Sequence, residues 1–369
     1  MKAVFRASLF LRLLEEAESM TPDLIVEPIY KSVMLSASSA GVRLEATDFQ
    51  GNSIRLRPTG FTVLEAGECT IPAKPLYEIV RRLRNIPDVA VNCEYVKDDQ
   101  TFYIRCATFS GFLKCFSAEA FPELPHPSGE EFVEVDPADL NRVAAKVGVP
   151  AGDTGPGAIG GIEISFSDGK LSLAGHDPNR LAACAIPARG PGPLEQNVVG
   201  AKGMKELQKM LRDFKGYVRI FSGTNQTILQ TENGELILQQ LATTLQDWRQ
   251  LLRRLKPDTR LVVDTPRFVS ALDRITTLAG GERRVSFDIG SQELKLHTRT
   301  AEMGGEETLP LLERRGNRKR VAFNGGSLKE LIRTIDAERL VLEVDSHIGL
   351  LFPEDRPEEI FVAAQMVLP

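Results

Sequence analysis

The chain has 369 residues, 42% of them hydrophobic and 26% charged, the balance of a globular protein with room for two or three domains. A net charge of −5 excludes a generally basic, histone-like binder, and no run of about 18 apolar residues is present to form a membrane-spanning helix. The segment after Met1 lacks the apolar block of a signal peptide, so a cytoplasmic location is expected and no membrane partner. Five cysteines (Cys69, Cys93, Cys106, Cys115, Cys184) form no CxxC pair and have no neighbouring histidines, so neither a metal site nor any cofactor is expected.

In chain order, the first predicted helix carries Phe10, Leu13, Leu14 and Ala17 on one face, the i, i+3, i+4, i+7 spacing of an amphipathic helix. An alternating strand follows at Gly41 to Asp48, then a strand and turn at Cys69 to Lys74. A second helix is marked by Leu76, Ile79, Val80 and Leu83, and a strand hairpin runs from Val89 to Cys106. After the proline-rich Phe121 to Pro127 the order begins again, with a helix on Leu140, Val143, Ala144 and Val147 and a strand at Lys170 to Asp177. Asn197 to Lys202 precede a helix on Met204, Leu207 and Leu211. A third round places helices on Phe268, Ala271, Leu272 and Ile275 and on Leu328, Leu331, Ile332 and Ile335, with strands between them.

The spacing is regular. Phe10, Leu140 and Phe268 lie 130 and 128 residues apart, and Leu76, Met204 and Leu328 lie 128 and 124 apart. Such self-similarity is the mark of an internal repeat. The expected architecture is α+β: three tandem domains, 1–125, 126–254 and 255–369, each with two helices packed on mostly antiparallel strands. The joints fall at the proline-rich segment and near Leu255 to Asp258, both short enough to be inter-domain links.

Five residues beyond its anchor, each second helix carries a cation: Arg81, Lys209 and Arg333. At roughly 100° per residue this position points away from the core. Lys74, Arg82, Lys202, Lys205 and Lys329 lie near it. A basic helix face is ordinarily just a solvated surface. Here it recurs three times, and the helical segments together are positive while the rest of the chain is acidic. That segregation suits a protein whose helices meet phosphates. The acidic residues Glu15, Glu16 and Glu18 of the first helix run against the pattern.

Three such units in tandem resemble the bacterial sliding clamp family, the beta subunit of DNA polymerase III. His176-Asp177-Pro178-Asn179-Arg180-Leu181-Ala182 is similar to that family's Thr-Asp-Gly-His-Arg-Leu-Ala motif, Ile71-Pro72-Ala73-Lys74 to its Val-Pro-Ala-Arg segment, and Phe361 to Met366 to its C-terminal tail. The resemblance covers the whole chain. It implies a non-enzymatic processivity factor: a head-to-tail homodimer closed into a ring around double-stranded DNA, with helices inside and strands forming the rim and the subunit joints. Its partners would be DNA polymerase and a clamp loader, as well as DNA without regard to sequence. It also implies a peptide-binding pocket at His176, Pro178, Asn179, Arg180, Leu181, Gln246, Gln250, Leu251, Asn324, Val362 and Met366. The chain departs from the family there. Pro178 and Asn179 replace Gly-His, Leu245 to Arg249 replaces Phe-Pro-Asp-Tyr-Arg, Ser327 stands where an aromatic is usual, and the tail ends Val367-Leu368-Pro369. These departures motivate an alternative, a clamp-like scaffold that recruits proteins without being loaded on DNA.

Other signals are set aside. Gly155 to Gly160 spells GxGxxG but is followed by a strand-like run, where a dinucleotide site needs a helix. The carboxylate pairs Asp98-Asp99, Glu130-Glu131, Glu306-Glu307 and Glu358-Glu359 read as solvated charge, and Trp248 as an anchor at a domain junction.

Overall fold

The computed structural model describes residues 1–22, 28–84, 90–127, 129, 131–152, 161–192, 194–242, 247–281 and 283–368. The first repeat runs β1 (Lys2–Arg6), α1 (Ala7–Met20), β2 (Ser32–Ser38), β3 (Gly41–Thr47), β4 (Ser53–Leu56), β5 (Thr62–Glu65), β6 (Gly67–Pro72), α2 (Ala73–Leu83), β7 (Ala90–Val96), β8 (Thr101–Cys106) and β9 (Phe109–Lys114). The second runs β10 (Val133–Val135), α3 (Pro137–Gly148), β11 (Gly161–Ser167), β12 (Lys170–His176), β13 (Arg180–Arg189), β14 (Leu194–Val199), α4 (Ala201–Met210), β15 (Val218–Ser222), β16 (Gln226–Thr231) and β17 (Gly234–Gln239). A short helix, α5 (Trp248–Arg254), precedes the third: β18 (Thr259–Asp264), α6 (Thr265–Thr277), β19 (Arg284–Ile289), β20 (Glu293–Arg299), β21 (Gly304–Pro310), β22 (Glu313–Gly316), β23 (Lys319–Asn324), α7 (Gly325–Ile332), β24 (Arg339–Val344), β25 (Ile348–Pro353) and β26 (Ile360–Ala364). Each repeat is one strand, a helix, four or five strands, a second helix and three strands.

The helices form where the apolar spacing placed them. Phe10, Leu14, Ala17, Leu76, Val80, Leu83, Leu140, Val143, Ala144, Val147, Met204 and Leu207 are buried, as are the four anchors of α6 and Leu328, Leu331 and Ile332 of α7. Leu211 and Ile335 are buried just past the ends of α4 and α7, and Leu13 and Ile79 are half-buried. Helix starts are set by local chemistry. The Asp264 carboxylate accepts the Arg267 N–H at 2.9 Å ahead of α6, and the Asn324 amide oxygen accepts the Ser327 N–H at 3.1 Å ahead of α7. The helix α5 was not expected from periodicity. Asp247 creates it by accepting the N–H groups of Arg249 and Gln250.

By contact the chain forms two compact units. The first comprises Met1–Ala138, Arg189–Leu194 and Glu206–Gln240, and the second Asp139–Ala188, Glu195–Lys205 and Leu241–Pro369. In the first, an antiparallel sheet runs β10-β15-β16-β17-β4-β3-β2-β6. A second sheet runs β5-β1-β7-β8-β9. The second unit has the matching pair: β11-β12-β13-β26-β25-β24-β18-β22 and β21-β20-β19-β23. The pairs β4–β17 and β13–β26 join strands of successive repeats, which is why the cut between the units falls inside the second repeat.

The first joint is pinned. Phe121 and Leu124, in the segment expected to be a simple link, are buried with Met34, Phe221, Ile228 and Ile237. Beside them the buried Arg55 binds Glu45 at 2.6 Å, binds Glu235, and donates to the carbonyls of Leu124 and Pro125 at 3.0 and 3.2 Å. In the second unit Glu359 was expected to be solvated, but it is only 2% exposed and pairs with Lys146 (2% exposed) and Arg142. Arg142 also binds Asp139 at 3.1 Å, so the buried charge that depends on Glu359 is Lys146, and breaking a buried pair of this kind costs about 3–5 kcal/mol. All five cysteines are free and buried, and burial pushes the Cys93 and Cys184 thiols up to about 12. Among the described residues no helix is long and apolar enough to cross a membrane.

Candidate nucleic-acid interface and peptide groove

The three recurrent cations sit at helix C-terminal turns, where the peptide dipoles favour positive charge. Arg81 is in the last turn of α2, Lys209 in the last turn of α4, and Arg333 is the C-cap of α7. None of the three stands alone. Arg81 binds Glu78 at 2.9 Å, and Arg82 binds the same carboxylate at 2.6 Å. Lys209 binds Glu206 at 3.1 Å. Arg333 reaches Asp273 on α6 at 2.7 Å, and Lys329 joins it there at 3.2 Å. Lys74, Lys202 and Lys205 are exposed and meet no carboxylate among the described residues.

These acidic partners were missed in the sequence although the signal was present. Glu78, Glu206 and Glu330 each precede their cation by three residues, so a Glu-x-x-(Arg/Lys) pattern recurs in every second helix. In the third repeat Glu330 is drawn instead to Arg180 at 2.7 Å, and Asp273 takes its place on Arg333. The paired cations hold the Glu78 carboxyl below the usual range, Arg81 first. Partial burial pushes Asp273 the other way, but Arg333 and Lys329 outweigh it and its carboxyl is also lowered.

The acidic face of α1 has its counterpart here as well. Glu16 is buried, 3.4 Å from Arg12, and the Ser19 hydroxyl donates to Glu206 at 2.7 Å. Burial raises the Glu16 carboxyl to about 7; Arg12 opposes the rise, and Glu206 adds to it.

In the second unit, β13 and β26 bring several of the expected groove residues together. Leu181 lies directly opposite Val362, and the Ala364 N–H donates to the Asn179 carbonyl at 2.8 Å. Leu181 and Val362 share a buried cluster with Ala174 and Ala183, against which Trp248, Leu252, Ile348, Leu350 and Ile360 pack while partly exposed. Pro178 and Asn179 form the exposed turn between β12 and β13, held by Asp177, which accepts the N–H groups of Asn179 and Arg180 at 2.7 and 2.8 Å. Arg180 is gripped by Asp177 at 2.8 Å as well as by Glu330. His176 is half-buried, its Nε2 has no hydrogen-bond partner among the described residues, and burial lowers its pKa against the opposing pull of Asp177. Trp248 anchors α5, with the Arg249 guanidinium over its ring at 4.3 Å and bound to Glu163 at 2.7 Å.

The remaining groove residues are more scattered in role. Leu252 packs against the cluster, Leu251 beside it is half-buried, and Gln250 is exposed. Asn324 is occupied in capping α7, and Met366 is held by its N–H to the Ala322 carbonyl at 2.8 Å. Gln246, Glu130 and the glycine run 155–160 lie outside the described residues.

Comparison with known proteins follows the same lines. A family model described as the DNA polymerase III beta subunit, N-terminal domain, matches residues 1–125. A beta sliding clamp of Synechococcus elongatus is 24% identical over 329 residues, covering 87% of this chain and 86% of that one. A beta sliding clamp of Staphylococcus epidermidis is 21% identical over 346 residues, covering 91% and 88%. Among solved structures, the DNA polymerase sliding clamp of Bacillus subtilis superposes with a TM-score of 0.91 at 18% identity, and the DNA polymerase III beta subunit of Pseudomonas aeruginosa with 0.89 at 22%, each over 100% of both chains. The chain therefore has the DNA clamp fold. Its N-terminal third matches the model of the DNA polymerase III beta subunit's N-terminal domain, and the beta sliding clamps it resembles are each spanned over most of their length.

Proposed function

We propose that this protein is a DNA sliding clamp: a non-catalytic processivity factor that encircles duplex DNA as a head-to-tail homodimer and tethers polymerases placed there by a clamp loader. The observation that carries the reading is the recurrence of a cation-bearing second helix in all three repeats of a clamp fold. We take the repeats as domains 1–125, 126–254 and 255–369, and the DNA-facing residues as Lys74, Arg81, Arg82, Lys202, Lys205, Lys209, Lys329 and Arg333. Contacts from lysine and arginine to phosphate carry no sequence information, so a ring held by topology can slide.

Edge strands support the dimer. β9 ends the five-stranded sheet and exposes Phe112 (62%) and Phe109 (37%), and β21 ends the four-stranded one. An open apolar edge is a template for pairing with another chain, and head-to-tail pairing that closes makes a ring. For partner proteins, the partly exposed apolar row of Trp248, Leu252, Ile348 and Leu350 beside Leu181 and Val362 would accept apolar side chains of a short peptide.

The test is retention on nicked circular plasmid after incubation with a clamp loader and ATP, followed by cutting the circle. Retention on circles with loss on linearisation is expected. A protein that binds replication peptides but is never retained on circles is instead a scaffold that is not loaded.

A further inference from the structure

Each proposed DNA-facing cation that recurs among the repeats is already neutralised within the protein. This could have been an accident of one helix, but it happens three times, and in the third repeat by a substitute. Glu78 and Glu206 stand three residues before Arg81 and Lys209 on their own helices. Glu330 has the same place before Arg333, yet Arg180 holds it, and Asp273 arrives from α6 to bind Arg333 at both carboxylate oxygens, 2.8 and 2.7 Å. What recurs is the ion pair itself, beyond the sequence spacing that produces it in two of the three cases. Stability gives little reason for a replacement drawn from another helix, since an ion pair between side chains as exposed as Asp273 and Arg333 contributes only about 0–1 kcal/mol.

We infer that Glu78, Glu206 and Asp273 are positioning residues that hold down the affinity of the helices for phosphate. A free cation meeting DNA releases a condensed counterion, and the salt dependence of binding records it. A cation bound to its own carboxylate releases none until the carboxylate is displaced, and the displaced carboxylate then repels the phosphate it made way for. Lys74, Lys202 and Lys205, without such partners, supply the attraction, and the tethered cations supply contacts that are made and broken at little cost. Shallow binding is what sliding requires.

The inference rests on the clamp reading, and the experiment separates the two. Full-length protein is titrated onto a 30-base-pair duplex across a series of NaCl concentrations, as wild type, Glu78→Gln, the triple variant Glu78→Gln/Glu206→Gln/Asp273→Asn, and Glu123→Gln. Glu123 is an exposed carboxylate away from these helices and controls for net charge. Glu78→Gln alters an exposed helix surface and leaves the core untouched, so it reports even if the triple variant folds poorly. Each unit of freed positive charge is expected to steepen the plot of log affinity against log salt by about 0.9, so Glu78→Gln, which removes the one carboxylate that Arg81 and Arg82 share, steepens it by about 0.9. Low-salt affinity rises about tenfold, and Glu123→Gln matches wild type. Slopes unchanged in Glu78→Gln, or raised equally by Glu123→Gln, overturn the inference while leaving the clamp reading intact if wild type is retained on circles. Failure of wild type on circles removes both.

Discussion

Glu16 is the residue whose chemistry is most at odds with its surroundings. It lies on the buried side of α1, its carboxyl raised to about 7 from an ordinary value of 4.5 by burial, against the pull of Arg12. The folded protein therefore binds a proton there that the unfolded chain has already lost between those two values. Stability falls as pH rises through this window: below about 4.5 both states are protonated and nothing is lost, and above about 7 the whole penalty is present. Replacing Glu16 with Gln should raise unfolding free energy by roughly 2–3 kcal/mol at pH 8 and leave it nearly unchanged at pH 4.5. Urea unfolding at the two pH values measures this, and equal effects at both would show that Glu16 is not the titrating group. The sequence displayed Glu16 only as one of three acids against the helix pattern. On the same helix the Ser19 hydroxyl donates to Glu206, whose charge adds to the rise at Glu16, and helical spacing cannot reveal a neighbour nearly two hundred positions away.

At the scale of elements, what periodicity encodes and what it omits separate cleanly. The six amphipathic helices were legible because an apolar face repeating every three to four residues has one low-energy use. The strand pairs β4–β17 and β13–β26 were not, because alternation identifies a strand without naming its neighbour. Close packing between elements leaves marks that are equally invisible beforehand. At Gly175 on β12 an added Cβ would stand 2.0 Å from the Val147 carbonyl oxygen of α3, so the helix can rest on the strand only over a glycine. Gly175→Ala should destabilise the protein by about 3 kcal/mol, since backbone atoms give way poorly. A thermal melting midpoint unchanged from wild type would contradict the α3–β12 contact.

For the whole molecule the decisive property is assembly. Phe112 is an exposed aromatic on the terminal strand of a sheet and, apart from a ring contact with Tyr103, faces outward. If the proposed dimer closes through this edge, Phe112→Glu should leave only monomer in light scattering at micromolar concentration and abolish retention on circular DNA, with the melting midpoint barely changed. A wild-type protein that is monomeric under the same conditions would remove the ring. The candidate groove belongs to this scale too. Its motif at His176 to Ala182 could be read from the sequence, whereas the packing of Leu252 against the groove cluster could not, because α5 starts at the Asp247 cap where no apolar periodicity marks a helix.

The sequence by itself determined the threefold repeat, the helices and their buried faces, and the recurrence of a cation in each second helix, since these are local and periodic. Only the tertiary structure decided that every one of those cations is held by a carboxylate. Reach in three dimensions made Asp273 and not Glu330 the partner of Arg333, and no spacing along the chain records that exchange.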